Sequence, residues 1–226
     1  VETSMSEIGL FSAFSDLTVI NCTTHDSNYG ILVGPGHLEV SGSDFENCPY
    51  NHIALLGTNG SAVIENNTME DAPDEACISI TATESPIEIR DNVLSGCHGA
   101  GISLYEVTDV IVAGNDVSDI GYDMITGLQA DGISLLDVPG GEVHDNVIHD
   151  LFGKGISILR SYATVTGNEI DNTGDAGVSI VDGTGRSTIQ SNDIDGASAG
   201  GVVAIDGDAD VLDNTIANIE VNFEYG

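Results

Sequence analysis

The segment "IEIRDNVL" (87–94) alternates apolar and polar residues, breaks at Asp91–Asn92 and resumes on an apolar residue. The same phrase returns as "VIVAGNDV" (110–117), "GEVHDNVI" (141–148), "ATVTGNEI" (163–170), "STIQSNDI" (187–194) and "ADVLDNTI" (209–216), with a degraded copy in "AVIENNTM" (62–69). A second phrase follows each: "CISI" (77–80), "GISL" (101–104 and 132–135), "GISI" (155–158), "GVSI" (177–180) and "GVVA" (201–204), with earlier versions in "GILV" (30–33) and "HIAL" (52–55). Period-two alternation marks strands, and recurrence at a fixed interval marks stacked repeats. Each repeat holds three short strands that cannot bury their apolar row alone. Stacking them as parallel strands ~4.8 Å apart joins those rows into one aliphatic column.

The recurring asparagines are Asn67, Asn92, Asn115, Asn146, Asn168, Asn192 and Asn214. A sharp corner between strands leaves backbone groups without ladder partners. An inward amide, both donor and acceptor, satisfies them and its counterpart one rung away. The preceding residue is Asn66, Asp91, Gly114, Asp145, Gly167, Ser191 or Asp213. Apart from the serine, these types tolerate the left-handed backbone region. On these phrases the chain resembles the right-handed parallel β-helix of the pectate-lyase-like superfamily, with its asparagine ladder, from about Phe14 to about Ile219. The resemblance implies an all-β, single-stranded parallel β-helix of about eight rungs. That superfamily spans lyases, hydrolases, epimerases, tailspikes, adhesins and non-catalytic surface proteins, so the fold does not select a function.

With 226 residues, 41% of them hydrophobic, the chain can build one sizeable core, read here as a single domain over 1–226. Irregular ends ("GLFSAFSDLTV" and "VNFEYG") imply a piece of a longer chain whose open rungs need covers. Four Lys and Arg against 37 Asp and Glu give a net charge of −33. Such a surface excludes nucleic acid, repels anionic polysaccharide, and suits high salt or abundant Ca²⁺. No run is long enough to insert into a membrane.

Two of the four cations lie in "GKGISILRS" (153–161). Aligned on the second phrase, Arg160 falls between Asp137 and Asp182, in a column with Glu106 and Asp206. Lys154 falls between Asp131 and Ala176, and Arg90 falls beside Glu65. Opposite charges one rung apart read as counter-charges along acidic columns. The alternative comes from the resemblance: some polysaccharide lyases of this fold use a Lys base and an Arg, aided by Ca²⁺, which makes Lys154, Arg160 and His149 the catalytic candidates. A Lys base needs a depressed pKa, and an aspartate neighbour acts the other way.

Asn115 and Gly132 are 17 residues apart, where other repeats have 9, which places an eight-residue insertion at about "GYDMITGL" (121–128). In enzymes of this superfamily such insertions wall a carbohydrate cleft. The candidate binding residues are therefore Tyr122, Asp123, Asp131, Tyr105 as a sugar-stacking ring, and Ser134 and Ser157 of the outward serine column (79, 103, 134, 157, 179). No GxSxG occurs, so nucleophilic serine chemistry is not expected. Paired acids recur on nearly every rung and carry no specificity for two-carboxylate hydrolysis.

No cofactor is required, although Ca²⁺ is compatible with the charge. "DGDAD" (206–210) offers Asp206, Asp208 and Asp210, but Val211 and Ala217 stand where a calcium loop needs Gly and Glu. Three Met argue against a copper role. Cys22, Cys48 and Cys97 align in one column, with a Cys22–Cys48 bond within geometric reach, while Cys77 replaces a phrase Gly and has no evident partner. The expected protein is a secreted or cell-surface acidic scaffold or binding module for carbohydrate or surface proteins. The alternatives are a polysaccharide lyase or hydrolase with a cleft beside 121–128, or a filament or adhesin component associating through open β-helix ends.

Overall fold

The computed structural model describes residues 2–4, 7–83, 86–121 and 130–220. The chain winds as a right-handed parallel β-solenoid of about nine turns, every described strand pairing in parallel with the one a turn away. Three sheets run along it. Sheet 1, ten strands from Glu2–Ser4 to Thr215–Ala217, carries the residues after each ladder position. Sheet 2, nine strands from Ile8–Ser12 to Gly200–Ile205, carries the second phrase. Sheet 3, nine strands from Leu17–Ile20 to Asp208–Leu212, leads into the ladder.

Alternation sorts the faces. In sheet 2, Ile78, Ile80, Ile102, Leu104, Ile133, Leu135, Ile156 and Ile158 point inward and are fully buried. Ile87, Ile89 and Val112 of sheet 3 meet them, as do Met69, Leu94, Val117, Ile148 and Ile170 of sheet 1. Each such side chain contributes about 1.5–3 kcal/mol by leaving water.

The ladder is continuous. From Asn67 to Asn192, each Asn donates its Nδ2 to the next rung's Oδ1 at 2.9–3.0 Å, and its backbone N–H to the same oxygen at 2.9–3.1 Å. Nδ2 also reaches a carbonyl of the preceding turn, as from Asn146 to Val112 O at 3.1 Å. The preceding residues all take positive φ, 53–65° from Asn66 to Asp213, Ser191 included.

The coil begins earlier than the recurring Asn indicates. Ser43 N–H donates to Asn67 Oδ1 and Cys22 N–H to Ser43 Oγ, so Ser43 and Cys22 take the ladder position in two earlier rungs. Asn21 and Gly42 before them have φ of 49° and 57°. Cys22 therefore sits in the ladder column and Ser27 occupies the position aligned with Cys48, which separates Cys22 from the Cys48–Ala72–Cys97 column. No disulfide joins Cys22 to Cys48, and Cys48 is a free, buried thiol. Cys77, expected to be without a partner, forms a disulfide with Cys97 across the corner between sheets 1 and 2, Cα–Cα 5.7 Å.

Cys77 occupies a column that is otherwise almost entirely glycine: 30, 101, 132, 155, 177 and 201, with His52 the second exception. A Cβ on Gly155 would lie 2.6 Å from Ile170 Cγ2 and 2.6 Å from Gly177 O. Val117, Ile148, Ile194 and Ile216 present the same branched methyl to Gly101, Gly132, Gly177 and Gly201. In the His52 and Cys77 rungs the corresponding residues are the unbranched Met69 and γ-branched Leu94, neither of which carries a methyl on its Cβ.

Candidate functional site

The outer face of sheet 2 carries the expected serine column in register: Ser79, Ser103, Ser134, Ser157 and Ser179 are successive partners. Two residues on, the next outward column runs Thr81, Tyr105, Leu136, Leu159 and Val181. Hydroxyls and half-buried alkyl or ring surface therefore lie side by side on one flat strip. Acidic residues border it on both margins.

At one margin the ammonium of Lys154 lies 3.6 Å from Asp131 Oδ1 and 3.4 Å from Asp175 Oδ2. Lys154 also donates its backbone N–H to Asp131 at 2.9 Å. Burial pushes the Asp131 carboxyl above its ordinary range, and the charge of Lys154, its N–H and the Ser157 hydroxyl oppose that shift. Asp131 and Ser157 are thus in contact, as members of one polar cluster. Asp175 was not singled out from the sequence because it precedes the aligned Ala176 by one position; a diagonal reading of adjacent rungs would have found it.

Arg160 sits at the other margin, past the far end of the same strand. The run from Lys154 to Arg160 spans roughly 20 Å of extended chain, so the two cations do not converge on one bond. Arg160 makes a bidentate pair with Asp137, at 2.9 and 2.7 Å. Hydrogen bonding to Arg160 holds Asp137 below the usual carboxylate range. The column Glu106, Asp137, Arg160, Asp182, Asp206 is as the alignment placed it, and all five have φ of 50–55° or, for Arg160, 47°.

His149 lies on the outer face of sheet 1, away from the serine strip. Its Nδ1 pairs with Asp150 at 3.0 Å and its Nε2 faces Asp116 at 3.4 Å. The Asp150 hydrogen bond, chiefly, raises its pKa against partial burial. Arg90 aligns with Glu65, but its guanidinium pairs with Glu88 at 3.0 Å, two residues back on its own strand. Of the weak calcium candidates, Asp208 and Asp210 both face Arg186, at 3.5 and 2.8 Å, and Asp206 lies at the preceding corner. A guanidinium thus fills the place a cation would take between Asp208 and Asp210.

Tyr122 and Asp123 lie outside the described residues. The described residues on either side bond as follows: Gly121 N–H donates to Cys97 O at 3.0 Å, and Ala130 N–H donates to Gly121 O at 3.1 Å.

Over residues 7–126 and 76–220 the chain matches the protein family described as right handed beta helix region. No curated protein sequence matches it. Among solved structures, the crystal structure of the Dettilon tailspike protein (gp208) is similar, with 12% sequence identity and a TM-score of 0.38. That likeness covers 82% of this chain and 62% of the tailspike chain, so this chain spans about three fifths of its length.

Proposed function

The chain belongs to the right-handed β-helix family, and from that premise we propose that it is an extracellular, non-catalytic binding module that takes neutral carbohydrate on the outer face of sheet 2. One observation carries this reading: hydroxyls of Ser103, Ser134 and Ser157 repeat at the rung spacing beside the Tyr105 ring on a flat, half-buried strip. Such a strip offers hydrogen bonds to sugar hydroxyls and a ring for sugar C–H faces. The net charge of −33 disfavours anionic polymers there. Lys154 and Arg160 are held by aspartates at opposite ends of the strip, which supports counter-charge roles for both.

The test is a glycan array followed by titration calorimetry with the best neutral oligosaccharide. Expected are saturable binding that Tyr105→Ala weakens at least tenfold and recovery of the oligosaccharide intact. Absence of glycan binding, or binding indifferent to Tyr105 and Ser134, overturns the reading. Asp131 favours a second reading, because a carboxyl raised by burial beside another acid, Asp175, is the arrangement a general acid needs. Release of shortened product, abolished by Asp131→Asn or Lys154→Ala, would replace the binding module with a degrading enzyme.

A further inference from the structure

The two side chains that break the glycine column meet inside the coil. His52, Cys77 and Cys97 are each fully buried, and one ligand atom from each, a ring nitrogen and two Sγ, lie within 4.8 Å of one another. His52 Nε2 lies 2.9 Å from Glu70 O. A carbonyl only accepts, so Nε2 carries the proton and Nδ1 holds a bare lone pair. Nδ1 is buried and has no hydrogen-bond partner. Burial keeps the ring neutral, pushing its pKa down to about 4. An orphaned acceptor in an aliphatic interior costs about 1–3 kcal/mol unless something electrophilic meets it.

A ligating histidine whose other ring N–H is anchored on a carbonyl is the usual second shell of a metal site. The two sulfurs supply the rest of the donor set once they are thiols. We propose that His52 Nδ1, Cys77 Sγ and Cys97 Sγ form a buried site for one soft d¹⁰ cation, open in the dithiol form and closed when the two cysteines are joined. The scarcity of Met bears on thioether sites; thiolate and imidazole donors are a different set. No fourth His, Cys, Asp or Glu joins the three among the described residues. Structural Zn²⁺ almost always takes four ligands, whereas soft thiolates select Cu(I), so the three-donor set favours Cu(I) over Zn²⁺.

The redox step balances with an external dithiol. The reductant gives two electrons and two protons to the Cys77–Cys97 bond, yielding two thiols, and itself becomes a disulfide. The cation then displaces the two thiol protons to solvent and accepts the Nδ1 lone pair, so no oxidant enters.

The test titrates the folded chain with Cu(I) against a chromophoric chelator, anaerobically, before and after reduction, with Zn²⁺ in a parallel arm. Expected are one equivalent of Cu(I) bound by the reduced chain, none by the disulfide form, and X-ray absorption showing two sulfurs and one nitrogen. Zn²⁺ should bind at least a hundredfold more weakly. Cys48→Ser removes a buried free thiol two rungs from Cys97 in its column and should leave binding intact; His52→Gln should weaken it at least tenfold. Because His52→Gln can also disturb the core, the comparison of the two redox forms of the unmodified chain decides independently. Equal binding by both forms, no binding by the folded reduced chain, or tighter Zn²⁺ in a four-ligand shell overturns the proposal.

Discussion

Asn146→Ala tests whether the ladder holds the coil together. In the structure Asn146 Oδ1 accepts from the backbone N–H and the Nδ2 of Asn115, both at 3.0 Å. Its own Nδ2 donates to Val112 O, His144 O and Asn168 Oδ1 at 3.1, 3.0 and 2.9 Å. The substitution orphans the Asn115 N–H, since Asn115 Nδ2 keeps Ile89 O and Ala113 O as acceptors. Asn115 is completely buried, so no water replaces the lost partner. One orphaned buried donor costs about 1–3 kcal/mol, and the two Nδ2 protons of Asn146 represent two net hydrogen bonds at about 1 kcal/mol each, so the expected loss is about 3–5 kcal/mol. Asn214, the last described rung, is partly solvated, and Asn214→Ala leaves the Asn192 N–H within reach of water. The expected order is a large loss at 146 and about 1 kcal/mol at 214. Urea unfolding followed by circular dichroism measures both, and amide exchange of Asn115 reports locally when the solenoid unfolds in stages. Equal losses at the two positions, or less than about 0.5 kcal/mol at 146, would refute the ladder as an energetic element.

Gly155→Ala should destabilise by about 1–3 kcal/mol through the contacts with Ile170 Cγ2 and Gly177 O. Adding Ile170→Leu, which removes the branched methyl as Leu94 does opposite Cys77, should recover part of the loss; thermal melts of the single and double variants check this. His149 has a raised folded-state pKa, so its pairing with Asp150 contributes stability fully present below the ordinary value of 6.5 and lost as pH rises through the raised value. Asp150→Asn should bring the NMR titration midpoint of His149 down toward 6.5, and an unmoved midpoint would exclude Asp150 as its chief cause. Arg160 sits at φ 47°, a conformation that Asn tolerates better. Arg160→Asn should leave the melting temperature unchanged or higher at high salt, where the exposed Asp137 pair is screened; a loss persisting there would give Arg160 a structural role beyond counter-charge.

The coil was legible because its corner chemistry repeats. An inward amide after a left-handed residue can be counted along the chain, and the counting located seven rungs. It stopped at Asn67 because Ser43 and Cys22 do the first rungs' acceptor or capping work with other atoms. The charge register also followed from alignment: Asp137 opposite Arg160 and Asp131 opposite Lys154 need only the two-residue period. Arg90 did not follow it, because its long side chain reaches Glu88 on the same strand face as easily as Glu65 across the rung. The Cys77–Cys97 bond was hidden by column logic itself. Strand alignment compares a residue with its neighbours above and below, whereas this bond joins two sheets around a corner. Cys77 in a glycine column was the available signal: a side chain there needs a partner that makes room for it.

The same corner chemistry bears on the acidity. Among the described residues 22 non-glycine positions have positive φ, and eleven of them are Asp, with Glu106 a twelfth acid. A left-handed corner accepts Gly, Asn or Asp with little strain, so a solenoid that turns three times per rung acquires carboxylates as a by-product of its backbone. Stacked one rung apart, they would repel along each column. The corners limit this with neutral members: Asn47 donates to Asp26 and Asn172 to Asp150, both at 2.6 Å, and Asn218 donates to Asp195 at 2.7 Å. Yet twelve acids are only a third of the 37 in the chain. The other acids among the described residues occupy strand faces and loops outside these positive-φ corners, and only four Lys and Arg in the chain oppose its 37 acids. Corner geometry therefore explains where the acidic columns run, while the size of the net charge is a separate property of the surface, one that screening by salt or divalent cations stabilises.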